Sequence, residues 1–368
     1  MSRSAEVVRR ELRRAMLRVP DVFAPGTKLV VGFSGGQDSS CLLHALVHSR
    51  RQLDLIAVHV DHTLRADSAD SARRVVELAR AIGVTCDVSR LDVAGYRQRL
   101  KRASIQQAAR AARYQALAES ARQHRAAAVL VAHSADDQAE TLLLNLVRGT
   151  GLLGLAGMRM DDSFDLSRLG PPMSAAFAQA SRVRVVRPLL KVQRATTLAY
   201  CSQAGLPLVE DASNRTRAYT RNRVRLDVLP LLEQFNPAIR TVLARTADLA
   251  ADDLAALDAL VAERSSHLVH DQTFDLRLFR GQPRALQRRL LRVEIASLVG
   301  GLVDVADAPV EDALDLLQTG VTHQTYHLPY GVELRMESET FSLRRGGRAR
   351  QRRQVGLEVE RARGCDSD

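Results

Sequence analysis

The sequence predicts an α/β fold, a doubly wound parallel sheet followed by a long linker helix and a smaller α+β domain. Short apolar runs alternate with amphipathic stretches in the first half of the chain, which is the pattern of consecutive βαβ units. Gly-rich and acidic segments follow these apolar runs directly, where a parallel sheet carries its ligand-binding loops. The length of 368 residues exceeds the usual size of one domain, so a second domain is expected.

Hydrophobic periodicity defines the elements of the first half. The predicted strands, which are short and largely apolar, are 28–33, 55–60 and 127–133. The predicted helices, which carry apolar residues at three- and four-residue spacing, are 39–48, 68–82 and 106–123. The stretch 158–181 is rich in Gly, Pro, Ser and Met without a clear period, and it is predicted to be a long surface loop.

The second half begins with a clear helix signal. Asn236 and Pro237 are typical of an N-cap and a first helical position, and the apolar stripe behind them predicts a helix to about Arg264. Beyond this linker helix, two helical stretches and a closing hairpin over 327–343 predict a compact domain. The expected divisions are residues 1–233, residues 234–343 and a basic, disordered tail over 344–368.

Composition narrows the class of protein. With 46% hydrophobic and 26% charged residues the chain can bury a sizeable core, which excludes global disorder. The cysteines, Cys41, Cys86, Cys201 and Cys365, form no CxxC pair, so neither a disulfide framework nor a structural zinc site is predicted. No apolar run approaches the ~20 residues that span a bilayer, and the N-terminus lacks a signal-peptide core. We therefore expect a cytoplasmic protein without a membrane segment.

The net charge of +11 is compatible with a polyanionic partner. Part of this excess lies in the segment RRGGRARQRR, residues 344–353, which is too polar to fold. The segment either contacts RNA or is a solvated end of the chain.

The strongest local signal is the hexapeptide SGGQDS, between a predicted strand and a predicted helix. Its glycines let the backbone turn toward an anion, and its hydroxyls and the N–H groups of the helix start can donate to phosphate oxygens. It is not a Walker A loop, because the lysine of that motif is absent. A carboxylate faces phosphate only across a cation, so Asp38 is the candidate Mg²⁺ ligand; an ordinary glycine turn is the alternative. The candidate nucleotide-binding residues are Ser34, Gly35, Gly36, Gln37, Asp38 and Ser39.

A second cluster, HVDH, lies at the carboxyl end of the second predicted strand. His59, Asp61 and His62 bring ionisable side chains together at the expected ligand edge of the sheet. Singly, each is explained as a satisfied polar residue at a strand end. Together they are candidates for contact with a nucleotide.

The third cluster, HSADDQAET, also follows a strand and opens a helix. Acidic residues in a first helical turn complement the helix dipole, and such capping accounts for Asp136. Capping does not require Asp137 and Glu140 as well, and these share one helical face with Arg148. The face is predicted to hold Mg²⁺, a cationic substrate or both, with His133 before it as a nucleotide contact.

Basic residues supply the remaining candidates. Arg113 lies in AARAARY on a predicted helix, where it either reaches a phosphate or a base or is solvated. The later run SNRTRAYTRNRVR interleaves arginines with Tyr219, which suits phosphate contacts and stacking on single-stranded or loop RNA; a solvated basic face is the alternative. The candidate contacts in this run are Asn214, Arg221, Arg223 and Arg225.

These segments, in this order, resemble the tRNA(Ile)-lysidine synthases, ATP pyrophosphatases with an SGGxDS loop. The resemblance extends from Lys28 to about Pro230 and rests on SGGQDS, HVDH, ARAARY, AHSADDQAET, NLVRGTGLLGLAGM, RPLL and EDASNRTRAYTRNRVR. The loop alone fits several ATP pyrophosphatases, whereas DDQAET together with RGTG and the SN-to-RNRVR segment points to this family. The resemblance implies a Rossmann-like sheet of the adenine nucleotide alpha hydrolase type.

The resemblance also implies a two-step reaction with ATP and Mg²⁺ as cofactors and with tRNA(Ile) carrying a CAU anticodon and free L-lysine as partners. ATP adenylates the C2 oxygen of cytidine 34 and releases pyrophosphate, and the ε-amine of lysine then attacks C2 and expels AMP. In this scheme Asp38, Asp137 and Arg113 are catalytic, and Asp136 and Glu140 are available to the ammonium-bearing substrate. The oligomeric state stays open, a homo-oligomer included.

The chain departs from the family pattern in three places. Gln107 stands where the family often has an acidic residue, and the segment 158–181 is longer than usual. The arginine-rich tail stands where many relatives have a second C-terminal domain. Contacts between that domain and the tRNA are therefore expected to be missing or remodelled.

Three other functions fit parts of the pattern. A tRNA thiolation enzyme shares the loop but needs cysteines for sulfur transfer or an iron–sulfur cluster, and no CxxC pair is present. A GMP or NAD synthetase has no use for the arginine-rich run. A non-catalytic RNA-binding protein does not need the acidic residues of the loop and of the DDQ segment.

Overall fold

The computed structural model describes residues 2–346 with interruptions. The residues outside the description are 1, 64–67, 101–102, 175, 180–181, 210–215, 218, 271–272, 300–306, 320, 329–330 and 347–368. The chain divides into two compact units, Met1–Ala256 and Leu257–Asp368.

The N-terminal unit contains a six-stranded sheet with the order β3-β2-β1-β4-β6-β5. Its strands are β1 (Lys28–Gly32), β2 (Asp54–Asp61), β3 (Cys86–Arg90), β4 (Ala128–Leu130), β5 (Asp161–Asp165) and β6 (Arg182–Val186). All neighbours pair in parallel except β5, which is antiparallel to β6. This confirms the predicted parallel sheet.

Helices precede, connect and follow these strands. They are α1 (Arg3–Arg18), α2 (Gln37–Val47), α3 (Ser68–Ile82), α4 (Val93–Arg99), α5 (Ile105–His124), α6 (Ala135–Arg148), α7 (Leu152–Leu155), α8 (Arg194–Gln203), α9 (Thr220–Arg223), α10 (Leu229–Phe235) and α11 (Ile239–Leu268). One turn of π-helix, Val224–Val228, joins α9 to α10. The predicted helix after Asn236 is α11, which begins three residues later.

Helices cover both faces of the sheet. Successive side chains of a strand point to opposite faces and therefore pack against different helices. In β1, Leu29 and Val31 belong to the core formed with α1, α2, α3 and α8, whereas Val30 belongs to the core formed with α5. All three side chains are fully buried. Such wholly apolar runs are what a strand between two helical layers requires, which explains why β1 was readable from the sequence.

The segment 158–181 is more ordered than the predicted surface loop. It contains β5 and two short 3₁₀ turns, Leu166–Leu169 and Ala176–Gln179. Arg184 of β6 donates from Nε to Oδ1 of Asp161 in β5 at 2.9 Å. An acidic edge strand held by ion pairs has no apolar alternation, so periodicity did not reveal it.

The C-terminal unit contains a five-stranded antiparallel sheet with the order β7-β8-β11-β10-β9. Its strands are β7 (Val269–His270), β8 (Thr273–Asp275), β9 (Gln324–Leu328), β10 (Val332–Met336) and β11 (Thr340–Arg345). Its helices are α12 (Leu276–Arg280), α13 (Arg284–Val299) and α14 (Asp307–Thr319). The predicted closing hairpin is β10–β11, in which Leu334 pairs with Leu343. The core of the C-terminal unit includes Phe274 and Phe341, whose ring centroids lie 4.5 Å apart in a stacked arrangement.

The two compact units divide after Ala256, inside α11, whereas the sequence placed the division before this helix. The first half of α11 belongs to the N-terminal unit because Ala250 and Leu254 are buried against Ala156. At the other end, Arg344 and Arg345 are the last residues of β11, although the sequence placed them in the tail. The rest of the predicted tail, 347–368, lies outside the described residues.

Candidate functional site

The glycine loop and the acidic helix start lie on neighbouring strands. The loop 33–36 follows β1 and leads into α2, and residues 131–134 follow β4 and lead into α6. From β1 the chain builds the sheet outward through β2 and β3, and it returns on the other side of β1 with β4. Connections diverge at such a switch point and leave a crevice at the carboxyl ends of the strands.

Gly35 adopts a backbone conformation that requires glycine. Its φ is +75°, and a Cβ atom there would lie 2.9 Å from Cγ2 of Val75 and 3.1 Å from Cβ of Val209. Its carbonyl oxygen accepts a hydrogen bond from the N–H of Val209 at 3.0 Å. The tight turn of this loop is therefore fixed by packing on both sides.

The neighbouring loop residues are joined by hydrogen bonds among their own hydroxyl and backbone groups. The hydroxyl of Ser39 accepts a hydrogen bond from the N–H of Ser34 at 3.2 Å, and the two hydroxyls lie 3.2 Å apart. Gly36 is the N-cap of α2 and has no side chain to cap it. The N–H groups of the first turn thus have no side-chain cap, and their predicted role in binding an anion stays a prediction.

The start of α6 is a capping box formed by Ser134 and Asp137. The N–H and the hydroxyl of Ser134 donate to Oδ2 of Asp137 at 2.9 and 2.8 Å. Asp136 and Asp137 both lie in the first turn, as the simple explanation of Asp136 by the helix dipole requires, but the side-chain cap is Asp137. Asp136 instead accepts from the N–H of Arg194 at 2.8 Å and from Nη1 of Arg240 at 3.0 Å.

Arg194, at the first position of α8, joins the loop to the acidic helix. Its Nε donates to Oδ2 of Asp38 at 3.2 Å, and its Nη2 donates to Oδ1 of Asp137 at 3.0 Å. Its Nη1 lies 3.5 Å from Oε1 of Glu140. The side chain of Gln37 donates to the carbonyl oxygen of Arg194 at 2.9 Å. One guanidinium thus links three carboxylates from two neighbouring strand ends.

Glu140 is fully buried and is held mainly by two arginines of the predicted RNA-binding run. Nε of Arg221 donates to its Oε2 at 2.7 Å, and Nε of Arg225 donates to its Oε1 at 2.6 Å. Arg223 is exposed, because two residues of helix turn its side chain away from the face that Arg221 and Arg225 share. The structure therefore separates these three arginines into two inward-facing residues and one outward-facing residue.

Of the two other predicted contacts, only Arg148 lies in the described part of the chain, and it is away from this cluster. Arg148 is exposed at the end of α6, about 12 Å along the helix axis from Glu140 at the ordinary rise per residue. Asn214 lies outside the described residues. Their predicted substrate contacts stay predictions.

Charge balance explains how so many carboxylates are buried together. The carboxylates of this cluster are those of Asp38, Asp136, Asp137 and Glu140, and they pair with the guanidinium groups of Arg194, Arg221, Arg225 and Arg240. Arg240 also pairs with Glu233. Such an assembly holds together only when every charge is paired, because an uncompensated buried charge costs several kcal/mol.

The pKa values of two of these carboxyls shift in opposite directions. Burial raises the pKa of Asp137, but the charges of Arg194 and Arg221 and the hydrogen bond from the Ser134 N–H outweigh burial and hold its pKa well below the usual range. Burial also raises the pKa of Asp38, and there the charge of Arg194 and the hydrogen bond from Thr197 do not fully compensate, so its pKa is raised. Asp137 is thus a fixed negative charge, whereas Asp38 gains from a further cation.

The HVDH cluster is only partly directed toward the crevice. Nδ1 of His59 donates to the carbonyl oxygen of Phe33 at 3.0 Å, and burial lowers the pKa of His59. Asp61 is buried and accepts from the N–H of Thr63 at 2.9 Å. His62 alone meets another candidate residue, since its Nε2 lies 3.3 Å from Nη2 of Arg113. Nucleotide contacts by His59 and Asp61 stay predictions.

An open depression of about 420 Å³ lies beside the acidic cluster. Its lining residues are Gln37, Asp136, Arg194, Ala195, Leu198, Arg225 and Arg240. Small-molecule sites commonly have volumes of ~300–1,000 Å³. The depression therefore has the size and the charged lining of a site for a polar small molecule.

The donor set near Asp38 fits a magnesium ion bound together with phosphates. Within the described ranges no group of three or more His, Cys, Asp and Glu side chains is placed to hold a metal. Mg²⁺ is nevertheless typically bound by one or two carboxylates plus substrate phosphates and water. Asp38, the first acid after the glycine loop, is the carboxylate that suits this arrangement.

Sequence reasoning missed the residues that orient these groups. Arg194 and Thr197 lie in the segment KVQRATT, which has no motif that announces a role. Arg187 was visible within RPLL, yet nothing local shows that its Nε donates to Nδ1 of His133 at 3.2 Å. Gln107 proves to be a capping residue, since its Oε1 accepts from the N–H of Ser104 at 2.8 Å.

Comparison with known proteins identifies a family whose match covers most of this site. Residues 6–232 match the PP-loop domain family, which includes the loop, both strand ends and the arginine-rich run. In the part of the chain that the structure describes, no helix is both long and apolar enough to cross a bilayer. The fold and the site thus define a PP-loop protein.

Curated relatives narrow the class further. The tRNA(Ile)-lysidine synthase of Thermosynechococcus vestitus is 36% identical over 318 residues, which are 84% of this chain and 84% of the relative. Those of Dehalococcoides mccartyi and Geobacter sulfurreducens are 35% and 38% identical over 86% and 80% of this chain. The chain belongs to the tRNA(Ile)-lysidine synthase family. It spans 66% and 60% of the length of the latter two relatives.

A solved structure shares the fold. The U34-tRNA thiolase NcsA from Methanococcus maripaludis aligns with a TM-score of 0.52 at 18% identity, over 68% of this chain and 79% of the thiolase. At this level of identity the likeness concerns the fold alone.

Proposed function

We propose that the chain uses ATP to attach L-lysine to C2 of cytidine 34 in the CAU anticodon of tRNA(Ile). The first step forms a bond between the C2 oxygen and the α-phosphorus of ATP, with pyrophosphate as the leaving group. In the second step the ε-amine of lysine forms a bond to C2, and AMP leaves with the former C2 oxygen. The products are lysidine, AMP and pyrophosphate. Such an enzyme acts on tRNA in the cytoplasm.

One observation carries this proposal: Arg194 joins Asp38 of the glycine loop to Asp137 and Glu140 of α6. An anion cradle and a buried acidic cluster thus form one site at the switch point of the sheet. A triphosphate and a cationic amine need these two environments side by side. Membership of the lysidine synthase family provides a chemistry that uses both.

In the first step the loop would bind the departing pyrophosphate. The turn at Gly35 and the open N-terminus of α2 place backbone donors at one spot, and donors fixed before the reaction stabilise the charge that develops in it. Mg²⁺, held by Asp38 and phosphate oxygens, would neutralise part of that charge when bound. Arg113, beside His62, would hold the base or the transferring phosphate.

In the second step the acidic cluster would orient the lysine. Glu140 is fully buried beneath its arginines, whereas Asp136, itself only 7% exposed, lines the depression and would meet an ammonium group there. The low pKa of Asp137 keeps it ionised, so it acts through its charge. The attacking amine must first lose a proton, which makes incorporation rise with pH below the pKa of lysine, ordinarily about 10.4.

Two of the cysteines, Cys41 and Cys201, are poorly suited to the thiolation alternative. Burial raises the pKa of the Cys41 thiol, and it raises the pKa of the Cys201 thiol to about 12. Both side chains are fully buried. Sulfur transfer requires an accessible thiolate, which neither residue provides. Cys365 lies outside the described residues.

The deciding experiment follows pyrophosphate release and labelled lysine in one reaction. Purified protein is mixed with ATP, Mg²⁺ and an unmodified CAU-anticodon tRNA(Ile) transcript, with and without L-lysine. We expect pyrophosphate release and lysine labelling of the RNA, and we expect both to be lost when C34 is replaced by U. Pyrophosphate release without lysine incorporation would overturn the assignment of the nucleophile. Absence of both would overturn the proposed function.

A further inference from the structure

His133 lies at the switch point with one ring nitrogen already occupied. It follows β4, and its Nδ1 accepts a hydrogen bond from Nε of Arg187 at 3.2 Å. A guanidinium has donors and no acceptor. The Nδ1 atom must therefore carry a lone pair, and the hydrogen of the neutral imidazole lies on Nε2.

Arg187 is held rigidly enough to impose this tautomer. It follows β6 and is fully buried. Its Nη1 donates to the carbonyl oxygen of Arg159 at 2.5 Å and lies 3.7 Å from Oδ2 of Asp162. Its own N–H donates to the carbonyl oxygen of Met160 at 2.8 Å. Both ends of this residue are thus fixed by the 159–162 segment.

We propose that Arg187 is a positioning residue that fixes His133 as a neutral imidazole with its hydrogen on Nε2, so that His133 donates to a phosphate oxygen of the bound nucleotide. This inference rests on the proposed function for the identity of the acceptor. The tautomer itself follows from the contact with Arg187. A donor that keeps its proton polarises an oxygen without transferring a proton to it.

The surroundings of His133 support the neutral form. Burial lowers its pKa, the charges of Arg187, Arg110 and Arg221 lower it further, and Asp137 acts in the opposite direction. The net pKa lies well below the ordinary value. A neutral His133 also leaves Asp137 to its arginines, because an imidazolium would compete with Arg194 and Arg221 for that carboxylate.

The tautomer can be measured directly in the intact protein. The full chain is labelled with ¹⁵N-histidine, and the His133 signals are assigned by their loss in His133→Gln. We expect a protonated Nε2, an unprotonated Nδ1 and no titration between pH 5.5 and 8. A hydrogen on Nδ1, or a titration near the ordinary histidine pKa, would overturn the inference. This result does not depend on catalysis, so a failure of lysine incorporation alone would overturn only the proposed function.

A double-mutant cycle tests the catalytic consequence. Partners that orient metal-ligating histidines are worth about 10–100-fold, and we expect Arg187→Met to lower kcat for pyrophosphate release by that order. In a His133→Gln background, where an amide keeps a donor near Nε2, the same change should cost less than about twofold. Equal losses in both backgrounds would show that Arg187 acts only through the fold. Should Arg187→Met fail to fold, the ¹⁵N measurement on the unaltered chain decides.

Discussion

The hydroxyl of Thr197 donates a hydrogen bond to Oδ1 of Asp38, which fixes the carboxylate that follows the glycine loop. Arg194 holds the other oxygen, Oδ2, from the preceding turn of α8. Thr197 is fully buried, so this hydroxyl has no water to replace its partner. One helix, remote in sequence from the loop, therefore sets the orientation of Asp38.

Replacing Thr197 by valine removes this hydrogen bond and keeps the shape of the side chain. A hydrogen bond to a charged group contributes ~1.5–3 kcal/mol, so we expect kcat for pyrophosphate release to fall about tenfold. Thr197→Ser should restore most of it. Thr196→Val is the matched control, because Thr196 is the neighbouring threonine on α8 and its hydroxyl makes no such bond to the loop. Equal activity of the two valine variants would contradict the positioning role.

Asp38→Asn removes the charge that the proposed Mg²⁺ site needs. We expect adenylation to be abolished while the affinity for tRNA stays within a few-fold, because the task of Asp38 concerns the nucleotide. Pyrophosphate release and a filter-binding assay on the same preparation measure the two quantities. Unchanged turnover would remove Asp38 from the mechanism.

Gly35→Ala tests whether the tight turn is required. Gly35 and Gly26 have almost the same φ, +75° and +78°, but a Cβ at Gly26 would meet nothing within 4 Å. Gly26→Ala should therefore show only the left-handed backbone cost of ~1–2 kcal/mol. Gly35→Ala adds the clash with Val75 and Val209, and we expect ATP binding to be lost. Retained ATP affinity in Gly35→Ala would show that the loop has room to move.

Glu140→Gln tests whether the buried acid holds the arginines. Removing one partner of a buried ion pair costs ~3–5 kcal/mol because the remaining charge is uncompensated. We expect a loss of about 3 kcal/mol in the free energy of unfolding, measured by urea denaturation. The control is Asp70→Asn, which breaks an exposed pair with Arg73 and should cost less than about 1 kcal/mol. A similar small loss in both variants would argue against this role of Glu140.

The lowered pKa of His133 predicts a loss of stability in mild acid. In the unfolded chain His133 takes up a proton near its ordinary pKa of 6.5, whereas burial keeps it neutral in the fold. The unfolded state therefore binds more protons as the pH falls below about 6.5, and the free energy of unfolding decreases. In His133→Gln this decrease between pH 7 and 5 should be smaller. Parallel pH profiles would contradict the assignment of a neutral, buried histidine.

Asp137 makes the same kind of contribution at lower pH. Its arginine partners hold its pKa below the ordinary 3.8, so the stability that it contributes is complete above about pH 4 and is lost as the pH falls below that value. Urea denaturation of Asp137→Asn at pH 7 and pH 3 measures this. We expect the free energies of unfolding of this variant and of the unaltered chain to differ less at pH 3 than at pH 7.

Much of the fold could be predicted from local patterns. The apolar run of β1 is buried on both faces, so the composition of this segment alone predicted the strand. The same reasoning located β2, β4 and the helices between them. It did not identify β3, β5 or β6; of these, β3 and β5 are edge strands, which carry polar residues and are held by pairing with a neighbour that the local sequence does not reveal.

The candidate site, too, could be predicted only in part from local sequence. The glycine loop, the HVDH cluster and the acidic start of α6 were visible because turn chemistry and helix capping act over a few residues. Which acid caps α6 and which arginines face inward depended on contacts between distant segments, as with Asp137, Arg221 and Arg225.

Arg194 and Arg187 show most plainly what local sequence patterns cannot predict. Asp38 and Arg194 are 156 positions apart, and His133 and Arg187 are 54 positions apart. Sequence periodicity states which side of an element is buried, and it carries no information about which buried charges meet. Only the packing of α8 and β6 against the switch point brings each guanidinium to its partner, because an ion pair depends on a distance of a few ångströms that the whole fold must set.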